Sequence, residues 1–356
     1  MLAPVEAGDV AVMGAGAWGT AVAALIATRA QEVAGSGRVS LWARRPELAH
    51  EISATRQNHA YLPGIALPAN LVVSSSLEDV LHGAVLVVLA VPSRWAREIL
   101  GRGSGPMLPA AAVLSLVKGI EPSSLLPMSR VVTEVTGQRA VAVLSGPNLA
   151  GEIAAGLPAA TVVASERPAL ASQVRDMLAS VQLRVYVHDD VTGCELAGAG
   201  KNVLAVGAGM ADGLGAGNNA RAALITRGVA ELSRLGAAMG GHPLTFSGLA
   251  GLGDVVLTCT SERSRNRSVG YALGRGRLLD EAVGSLGHVA EGISTAPAIV
   301  ELARRHGVEL PICEAVAAVV KGRLRPDEAV AGLLGRRLRH ELEGHPAWPD
   351  PVASRW

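Results

Sequence analysis

The first half of the chain alternates short apolar runs with stretches of helical spacing. The apolar runs lie at 10–13, 38–42, 84–91, 110–117, 140–144, 160–164 and 183–187. Continuous apolar runs of four to eight residues are typical of parallel strands that are buried on both faces. Because the segments between them are long enough for crossover helices, the pattern predicts an α/β unit with a doubly wound sheet.

The second half of the chain changes to helical periodicity after Asp189-Asp190. Residues 193–210 are rich in Ala and Gly, a further helix runs from about Asn219 to Met239, and apolar positions 315–320 belong to another. We therefore expect a Rossmann-like NAD(P)-binding domain over 1–190 and an all-α substrate-binding and catalytic domain over 191–340. Residues 341–356, with three prolines, are expected to form a flexible tail.

A glycine-rich turn joins the first predicted strand to the first predicted helix. Gly14, Gly16 and Gly19 form a G-x-G-x-x-G pattern with Ala17 and Trp18 inside it. Such glycines allow a tight turn, and they let backbone N–H groups approach a pyrophosphate at a helix N-terminus. The pattern predicts a dinucleotide site, whereas the alternative is a turn that is merely rich in glycine.

Two arginines follow the second predicted strand. An enzyme that uses NAD usually has Asp or Glu there for the ribose 2′-hydroxyl, but this chain has Arg44 and Arg45. Guanidinium groups suit a 2′-phosphate, which they bind in a bidentate manner. The sequence therefore favours NADP(H) and leaves NAD(H) open. The alternative is a pair of solvated arginines before Pro46.

Polar or glycine positions follow the other predicted strands in the same way. Ser93, Lys118 and Gly146 each come directly after a buried run. Ligands of open α/β sheets bind beyond the carboxyl ends of the strands. We therefore expect these positions to lie near a bound ligand.

Lysine is rare in this chain, which has three lysines and 29 arginines. Arginine keeps its proton, whereas a lysine can be tuned to release one, so each lysine is a candidate for acid–base chemistry. Lys321 has a structural interpretation, because it ends an apolar helix and precedes Gly322. Lys118 and Lys201 remain as candidates, with ordinary surface lysines as the alternative.

Lys201 lies on a helical face of very small residues. Ala197, Gly198 and Ala205 are its neighbours at helical spacing. We expect an apolar setting that favours the neutral amine, or alternatively a lysine whose stem packs on the helix. Asp254 follows three glycines and is interpreted as a helix N-cap or as a carboxylate that orients a lysine.

Ser264, Arg265 and Asn266 form a hydroxyl, guanidinium and amide cluster that suits a phosphate. The alternative is a basic loop.

Composition limits the remaining functions. The chain of 356 residues is 49% hydrophobic and has a formal net charge of +1, which gives no sign of a nucleic-acid or anionic-membrane partner. Its three cysteines are far apart, which suits a reducing, cytoplasmic setting and argues against a zinc site, so no metal is expected. No apolar run is long enough to span a membrane.

Several longer motifs resemble NAD(P)-dependent glycerol-3-phosphate dehydrogenase of the bacterial type. They are GAGAWG at 14–19, NHAYLPG at 58–64, VPS at 91–93, VKG at 117–119, SGPNLA at 145–150, GKNVLAVGAGMADG at 200–213, NARAALITRG at 219–228, GLAGLGDVVLTCT at 248–260, SRNR at 264–267 and VAEG at 289–292. The resemblance implies a 6-phosphogluconate-dehydrogenase-like arrangement of a Rossmann domain and a helical domain. It also implies a homodimer that reversibly reduces dihydroxyacetone phosphate to sn-glycerol 3-phosphate for phospholipid synthesis.

The resemblance also implies roles for single residues. Lys201 is implied to be the proton acceptor in alcohol oxidation. Lys118 and Asp254 are the other expected catalytic residues, with Lys118 adding a second positive charge and Asp254 orienting Lys201. The implied substrate positions are Lys118, Gly146, Asn148, Lys201, Asp254, Ser264, Arg265 and Asn266. The implied cofactor positions, with the glycines of the first loop, are Ala17, Trp18, Arg44 or Arg45, Lys118, Ala150, Arg265, Val289 and Glu291. Ala17 and Asn148 depart from the family, which often has Ser or Asn at the first position and usually has Ser or Thr at the second.

Two other functions stay open from the residues themselves. One is a related two-domain, NADP-dependent dehydrogenase of 3-hydroxy acids or sugar acids. The other is a non-catalytic NADP-binding sensor. The SRNR and GLGD motifs argue against the first, and the presence of Lys118 and Lys201 argues against the second.

Overall fold

The structure is a computed structural model that describes residues 8–32, 37–284, 290–337 and 341. These residues divide into two compact units. The sheet unit draws on Met1–Val117 and Met128–Val191, and the helical unit on Lys118–Pro127 and Thr192–Trp356. The chain thus leaves the sheet unit after Val117, makes a ten-residue excursion whose contacts lie in the helical unit, and returns at Met128.

The sheet unit contains eight described strands in one sheet. They are β1 (Asp9–Met13), β2 (Val39–Trp42), β3 (Leu71–Ser74), β4 (Ala84–Leu89), β5 (Ala112–Ser115), β6 (Val141–Ser145), β7 (Ala159–Ala164) and β8 (Leu183–His188). Their order is β3-β2-β1-β4-β5-β6-β7-β8. Every adjacent pair is parallel except β6 and β7, which are antiparallel. The order reverses at the β1–β4 pair, which is where ligands of doubly wound sheets bind.

Seven described helices belong to the sheet unit. They are α1 (Ala17–Glu32), α2 (Pro46–Thr55), α3 (Leu77–Leu81), α4 (Ser93–Gly103), α5 (Met128–Thr136), α6 (Ala150–Ala154) and α7 (Pro168–Leu178). α1 contacts α6 and α7, whereas α4 contacts α3 and α5. Successive residues of β1 are all buried from Val10 to Met13. Since neighbouring side chains on a strand point to opposite faces, both faces of the sheet are covered.

The predicted doubly wound sheet is confirmed, with strand bounds that differ by a few residues. The sequence missed β3, which is a short strand at the edge of the sheet whose last three residues are not buried. An edge strand buries little of one face, so it lacks the continuous apolar run that marks the central strands.

The helical unit contains eight described helices. They are α8 (Val191–Gly213), α9 (Gly217–Ala238), α10 (Asp254–Thr260), α11 (Arg265–Gly274), α12 (Leu279–Gly284), α13 (Glu291–Arg305), α14 (Pro311–Val320) and α15 (Pro326–Leu334). α8 is buried along nearly its whole length. Small residues allow the other helices to approach it closely. A Cβ on Gly209 would lie 2.0 Å from the carbonyl oxygen of Arg267 on α11, so only glycine permits this crossing.

The ten-residue excursion Lys118–Pro127 is anchored in the helical core. Ile120 and Leu125 are 1% and 6% exposed and belong to the same apolar cluster as the side chains of α8. Leu125 takes a positive φ of 62°, which a non-glycine residue adopts only when its surroundings hold it there. The excursion is therefore a packed element of the helical unit, and Lys118 is its first residue.

Of the predicted flexible tail, residues 342–356 lie outside the described residues.

Candidate active site

The predicted dinucleotide loop follows β1 and opens α1, as the motif requires. Gly14 has a φ of +123°, and a Cβ there would lie 2.6 Å from the carbonyl oxygen of Ala90. A Cβ on Gly19 would lie 2.0 Å from the carbonyl oxygen of Gly14. Around Gly16, by contrast, a Cβ would meet no atom within 4 Å. Two glycines therefore close the turn, while the third faces open space.

A buried asparagine braces this loop. Asn58 is fully buried, and its Nδ2 donates to the carbonyl oxygen of Ala15 at 3.0 Å and to Oγ1 of Thr20 at 2.9 Å. Sequence reasoning gave Asn58 no role, although the motif at 58–64 carried it. The indole Nε1 of Trp18 is buried and has no hydrogen-bond partner among the described residues.

Arg44 and Arg45 lie directly beyond β2, and both side chains are exposed. Arg45 occupies the N-cap position of α2, but its side chain makes no capping hydrogen bond. Because β2 pairs with β1 in parallel, the ends of the two strands lie at the same edge of the sheet. The arginines are thus on the same edge as the glycine loop.

A second polar turn follows β6. Gly146 has a φ of +131°, and Nδ2 of Asn148 donates to Oγ1 of Thr161 at 3.0 Å. Thr161 in turn donates to the carbonyl oxygen of Ser145 at 2.9 Å. Oδ1 of Asn148 and Oγ of Ser145 are buried without a partner among the described residues. Ala150 begins α6, which contacts α1, so this turn belongs to the same region of the sheet unit as the loop.

In the helical unit, two lysines share one buried carboxylate. Nζ of Lys118 lies 2.6 Å from Oδ2 of Asp254, and Nζ of Lys201 lies 2.8 Å from Oδ1. The Asp254 side chain is 0% exposed, and the lysine side chains are 14% and 12% exposed. Asp254 begins α10 directly after a π-helical turn, Leu249–Gly253. Asp254 is therefore not the N-cap of α10, which is Gly253. Its carboxylate contacts both lysines, as the other interpretation of this residue requires for one of them.

Burial and charge set the protonation of the triad that Lys118, Asp254 and Lys201 form. Burial lowers the pKa of Lys118 to about 8; Asp254 raises it, and the neighbouring Lys201 lowers it. Burial opposes ionisation of Asp254, but the two ammonium groups outweigh it and hold the pKa of Asp254 below its ordinary value. The triad carries two positive charges and one negative charge when both lysines are protonated. An ammonium with a pKa near 8 holds or releases its proton close to neutral pH.

Two residues that sequence reasoning missed form hydrogen bonds with the lysines of the triad. Oγ1 of Thr258 accepts from Lys201 Nζ at 2.9 Å, and Asn202 Nδ2 donates to the carbonyl oxygen of Lys118 at 2.9 Å. The expected apolar setting of Lys201 is wrong, because Asp254 and Thr258 reach its ammonium. Both residues could have been noticed: Thr258 is four residues after Asp254 on one helix, and Asn202 directly follows Lys201.

The predicted phosphate cluster forms the first turn of α11. Oγ of Ser264 caps the helix by accepting from Arg267 N, and the Arg265 side chain is exposed. Asn266 is buried, with Nδ2 donating to Oδ1 of Asn202 at 2.8 Å and Oδ1 accepting from Gly292 N at 2.9 Å. Arg267 pairs with Asp212 at 2.7 Å. Asn266 is thus tied into the network that holds the lysines.

The remaining predicted cofactor positions of the helical unit are only partly described. Glu291 is half-buried and begins α13. Val289 lies outside the described residues.

Three further observations on the described part of the chain concern metal ions, thiols and membranes. It contains no group of three or more His, Cys, Asp or Glu side chains arranged to hold a metal ion. Cys194, Cys259 and Cys313 are buried and form no disulfide, and burial raises the pKa of Cys259 to about 12. Within the same residues, no helix has the length and apolar character that crossing a membrane requires.

Comparison with known proteins extends these observations to nearly the whole chain. The family described as NAD-dependent glycerol-3-phosphate dehydrogenase N-terminus matches residues 9–171, and its C-terminus matches residues 190–331. The chain is 48% identical over 338 residues to glycerol-3-phosphate dehydrogenase [NAD(P)+] 2 of Mycobacterium tuberculosis, which covers 94% of this chain and 99% of that one. It is 46% identical over 340 residues to the enzyme of Pelotomaculum thermopropionicum, covering 94% and 95% of the two chains.

Solved structures give the same similarity to glycerol-3-phosphate dehydrogenase. The crystal structure of glycerol-3-phosphate dehydrogenase from Coxiella burnetii has a TM-score of 0.88 at 38% identity and covers 92% of this chain and 99% of its own. A ketopantoate reductase from Ralstonia eutropha has a TM-score of 0.57 at 19% identity, covers 90% of this chain and 99% of its own, and shares the fold alone. The family models match both halves of the chain, and the relatives match nearly its whole length. The chain therefore belongs to the NAD-dependent glycerol-3-phosphate dehydrogenase family.

Proposed function

We propose that this protein reversibly reduces dihydroxyacetone phosphate to sn-glycerol 3-phosphate with a reduced nicotinamide cofactor. The observation that carries the proposal is the pair of lysines on Asp254, embedded in a chain that matches the family over both halves. The product is the glycerol phosphate from which phospholipids are built.

The side chains of the helical unit have a direct use in this reaction. The bound cofactor supplies the hydride for the ketone carbon. Negative charge then develops on the ketone oxygen, and the Lys201 ammonium stabilises this charge and delivers a proton to the oxygen. Lys118 adds a second positive charge. Asp254 holds both ammonium groups in place and balances one of their charges. In the reverse direction Lys201 accepts the proton.

The residues of the sheet unit fit a dinucleotide. Gly16 presents backbone without a side chain to open space, and the buried Nε1 of Trp18 has a hydrogen to donate. α1 begins at Ala17, within the glycine motif, and the backbone N–H groups of a helix N-terminus favour an anion. The glycine loop would hold the pyrophosphate, with Gly14, Ala17 and Gly19 shaping the turn and Ala150 on the neighbouring α6.

The preference for NADP(H) over NAD(H) rests on Arg44 and Arg45. Both guanidinium groups are exposed at the end of β2, at the same edge of the sheet as the glycine loop. Replacing both with alanine should weaken NADPH binding by at least about tenfold, because a charge-assisted hydrogen bond contributes about 1.5–3 kcal/mol. NADH binding should change little. Equal losses for the two cofactors, measured by fluorescence titration, would reject the preference.

The substrate has two sets of candidate ligands, of which the first suits its phosphate. The first turn of α11 offers Ser264, the exposed Arg265 and Asn266. The amide of Asn266 already forms hydrogen bonds with Asn202 and Gly292. Gly146 and Asn148 are the other proposed substrate positions. Nδ2 of Asn148 already donates to Thr161, and the unpartnered Oδ1 is an acceptor that suits a substrate hydroxyl group. Val289, Glu291 and Lys118 stay proposed cofactor positions. The exposed Arg265 guanidinium suits a phosphate group of either the cofactor or the substrate.

One assay tests the activity against its rivals. Oxidation of NADPH should be rapid with dihydroxyacetone phosphate and negligible with 3-oxo acids. Turnover of a 3-oxo acid would support the related hydroxy-acid dehydrogenase, and binding of NADPH without turnover of any substrate would support the sensor. We further propose a cytoplasmic location, supported by three buried cysteines that form no disulfide, and a homodimer, supported by the family resemblance alone.

A further inference from the structure

Two of the hydrogen bonds of Lys118 fix different parts of the residue, one its charged side chain and the other its main chain. Its Nζ binds Asp254, while its main-chain carbonyl accepts from Nδ2 of Asn202. Asn202 directly follows Lys201 on α8. One turn of α8 therefore carries Lys201 itself and also the side chain that fixes the backbone of Lys118.

Asn202 is in turn oriented by a chain of hydrogen bonds. The backbone N–H of Gly292 donates to Oδ1 of Asn266, Nδ2 of Asn266 donates to Oδ1 of Asn202, and Nδ2 of Asn202 donates to the Lys118 carbonyl. The distances are 2.9, 2.8 and 2.9 Å. The chain begins at a group that only donates and ends at one that only accepts. Because of this, neither amide can be reversed without setting two donors or two acceptors against each other.

The first turn of α13 is locked to this chain. A Cβ on Gly292 would lie 2.5 Å from the main-chain oxygen of Asn202, so the α13 backbone packs directly against α8. Asn202 and Asn266 are only 5% and 8% exposed, so water competes poorly for their amides. The neighbouring residue on α13 is Glu291, a proposed cofactor position.

We propose that Asn202 is a positioning residue for Lys118, and that the Gly292–Asn266–Asn202 relay couples the first turn of α13 to that lysine. The inference deepens the proposed function, because it gives the lysine pair a link to the helix turn that would meet the cofactor. Asn266 acts on Lys118 only through Asn202, since its side chain contacts Asn202 and Gly292.

The scarcity of lysine makes the relay measurable without substrate. An amine-reactive reagent applied across a pH series labels three lysines, and peptide mass spectrometry gives a midpoint for each one. Lys321 is exposed at the end of α14 and serves as an internal reference. Asn202→Leu and Asn266→Leu remove the amides without adding charge. Gln138→Ala is the matched control, because it removes a buried amide bond to the Leu108 carbonyl in the sheet unit.

Asn202→Leu should raise the Lys118 midpoint by about one pH unit, because a loosened backbone admits water to an ammonium that burial had destabilised. Asp254 and Lys201 face Lys118 and are unchanged in every variant. Asn266→Leu should shift the midpoint in the same direction, and the double variant should equal Asn202→Leu alone. Lys321 should stay constant throughout, and Gln138→Ala should leave Lys118 unchanged.

Two results would overturn the proposal: an unchanged Lys118 midpoint in a folded Asn202 variant, or additive shifts from the two asparagines. Alanine replaces leucine wherever a leucine variant does not fold. Since the labelling needs no substrate, absence of activity toward dihydroxyacetone phosphate would reject the proposed function and leave the relay standing.

Discussion

The candidate sites of the sheet unit and the helical unit are built from different parts of the chain, the first from backbone and the second from side chains. In the sheet unit the candidate cofactor loop is a backbone conformation: three glycines lie within six residues, and two of them close the turn while the third leaves open space. In the helical unit the reactive groups are side chains that lie far apart in sequence: Asp254 meets Lys201 across 53 positions and Lys118 across 136. The first kind of site is encoded locally, and the second exists only when the core has formed.

The difference predicts different responses to mutation. A backbone site should fail when a side chain intrudes, whether or not the fold is disturbed. A site of buried, charged side chains should fail when its partners change, because each group depends on the others for its protonation. The following experiments test this contrast.

Removal of Lys201 should abolish most turnover. General acid–base catalysis contributes about 10²–10⁴ in rate, so Lys201→Ala should lower kcat at least ~100-fold while cofactor affinity stays within about twofold. Lys201→Arg is the matched control for charge, since arginine can balance Asp254 but does not release a proton. Its kcat should be as low as that of the alanine variant. Turnover within tenfold of the unmodified protein in either variant would remove Lys201 from its role.

A buried carboxylate of the helical unit should make stability depend on pH. Glu231 on α9 accepts from the backbone N–H groups of Ile312 and Cys313 at the start of α14. Burial raises its pKa from 4.5 to about 7, against the lowering effect of these bonds. Between pH 4.5 and about 7 the folded state therefore holds a proton that the unfolded state has released. The resulting contribution to stability is fully present below pH 4.5 and is lost as the pH rises through about 7.

Urea unfolding measures the effect. Between pH 4.5 and pH 8 the unmodified protein should lose up to about 3 kcal/mol of unfolding free energy relative to Glu231→Gln. The exposed Glu262, replaced by Gln, should leave the pH dependence as it is. Parallel pH profiles for the unmodified protein and Glu231→Gln would show that Glu231 is ionised in the fold at acidic pH.

Two glycines of the loop should separate stability from binding. A methyl group on Gly16 meets no protein atom, so Gly16→Ala should unfold at the same temperature yet bind NADPH at least about tenfold more weakly. Gly19→Ala forces a Cβ against the Gly14 carbonyl and should cost about 1–3 kcal/mol of stability. Calorimetry and fluorescence titration report the two quantities. Unaltered NADPH affinity in Gly16→Ala would place the pyrophosphate elsewhere.

Asp254 should control the titration of Lys118. Its carboxylate raises the pKa of Lys118, so Asp254→Asn should lower the labelling midpoint of Lys118 from about 8 by about one pH unit. Asp212→Asn is the control, because that carboxylate pairs with Arg221 and Arg267 instead of lysine. A midpoint that rises in Asp254→Asn would mean that hydration of the site outweighs the lost charge.

The sequence by itself determined the parts of this protein that depend on local periodicity and composition. Apolar runs marked seven of the eight described strands, the glycine spacing marked the loop after β1, and the scarcity of lysine singled out Lys118 and Lys201. Backbone geometry imposes these patterns within a few residues, so they can be read without knowing the fold.

Only the tertiary structure decided how the reactive groups combine. It gave Asp254 to both lysines, attached Lys118 to the helical unit through Ile120 and Leu125, and brought in Asn202 and Thr258. It also replaced the expected apolar setting of Lys201 with a carboxylate and a hydroxyl. The physical reason is that such pairings depend on how α8, α10, α11 and α13 pack, and no short-range pattern records which buried polar groups will find each other there.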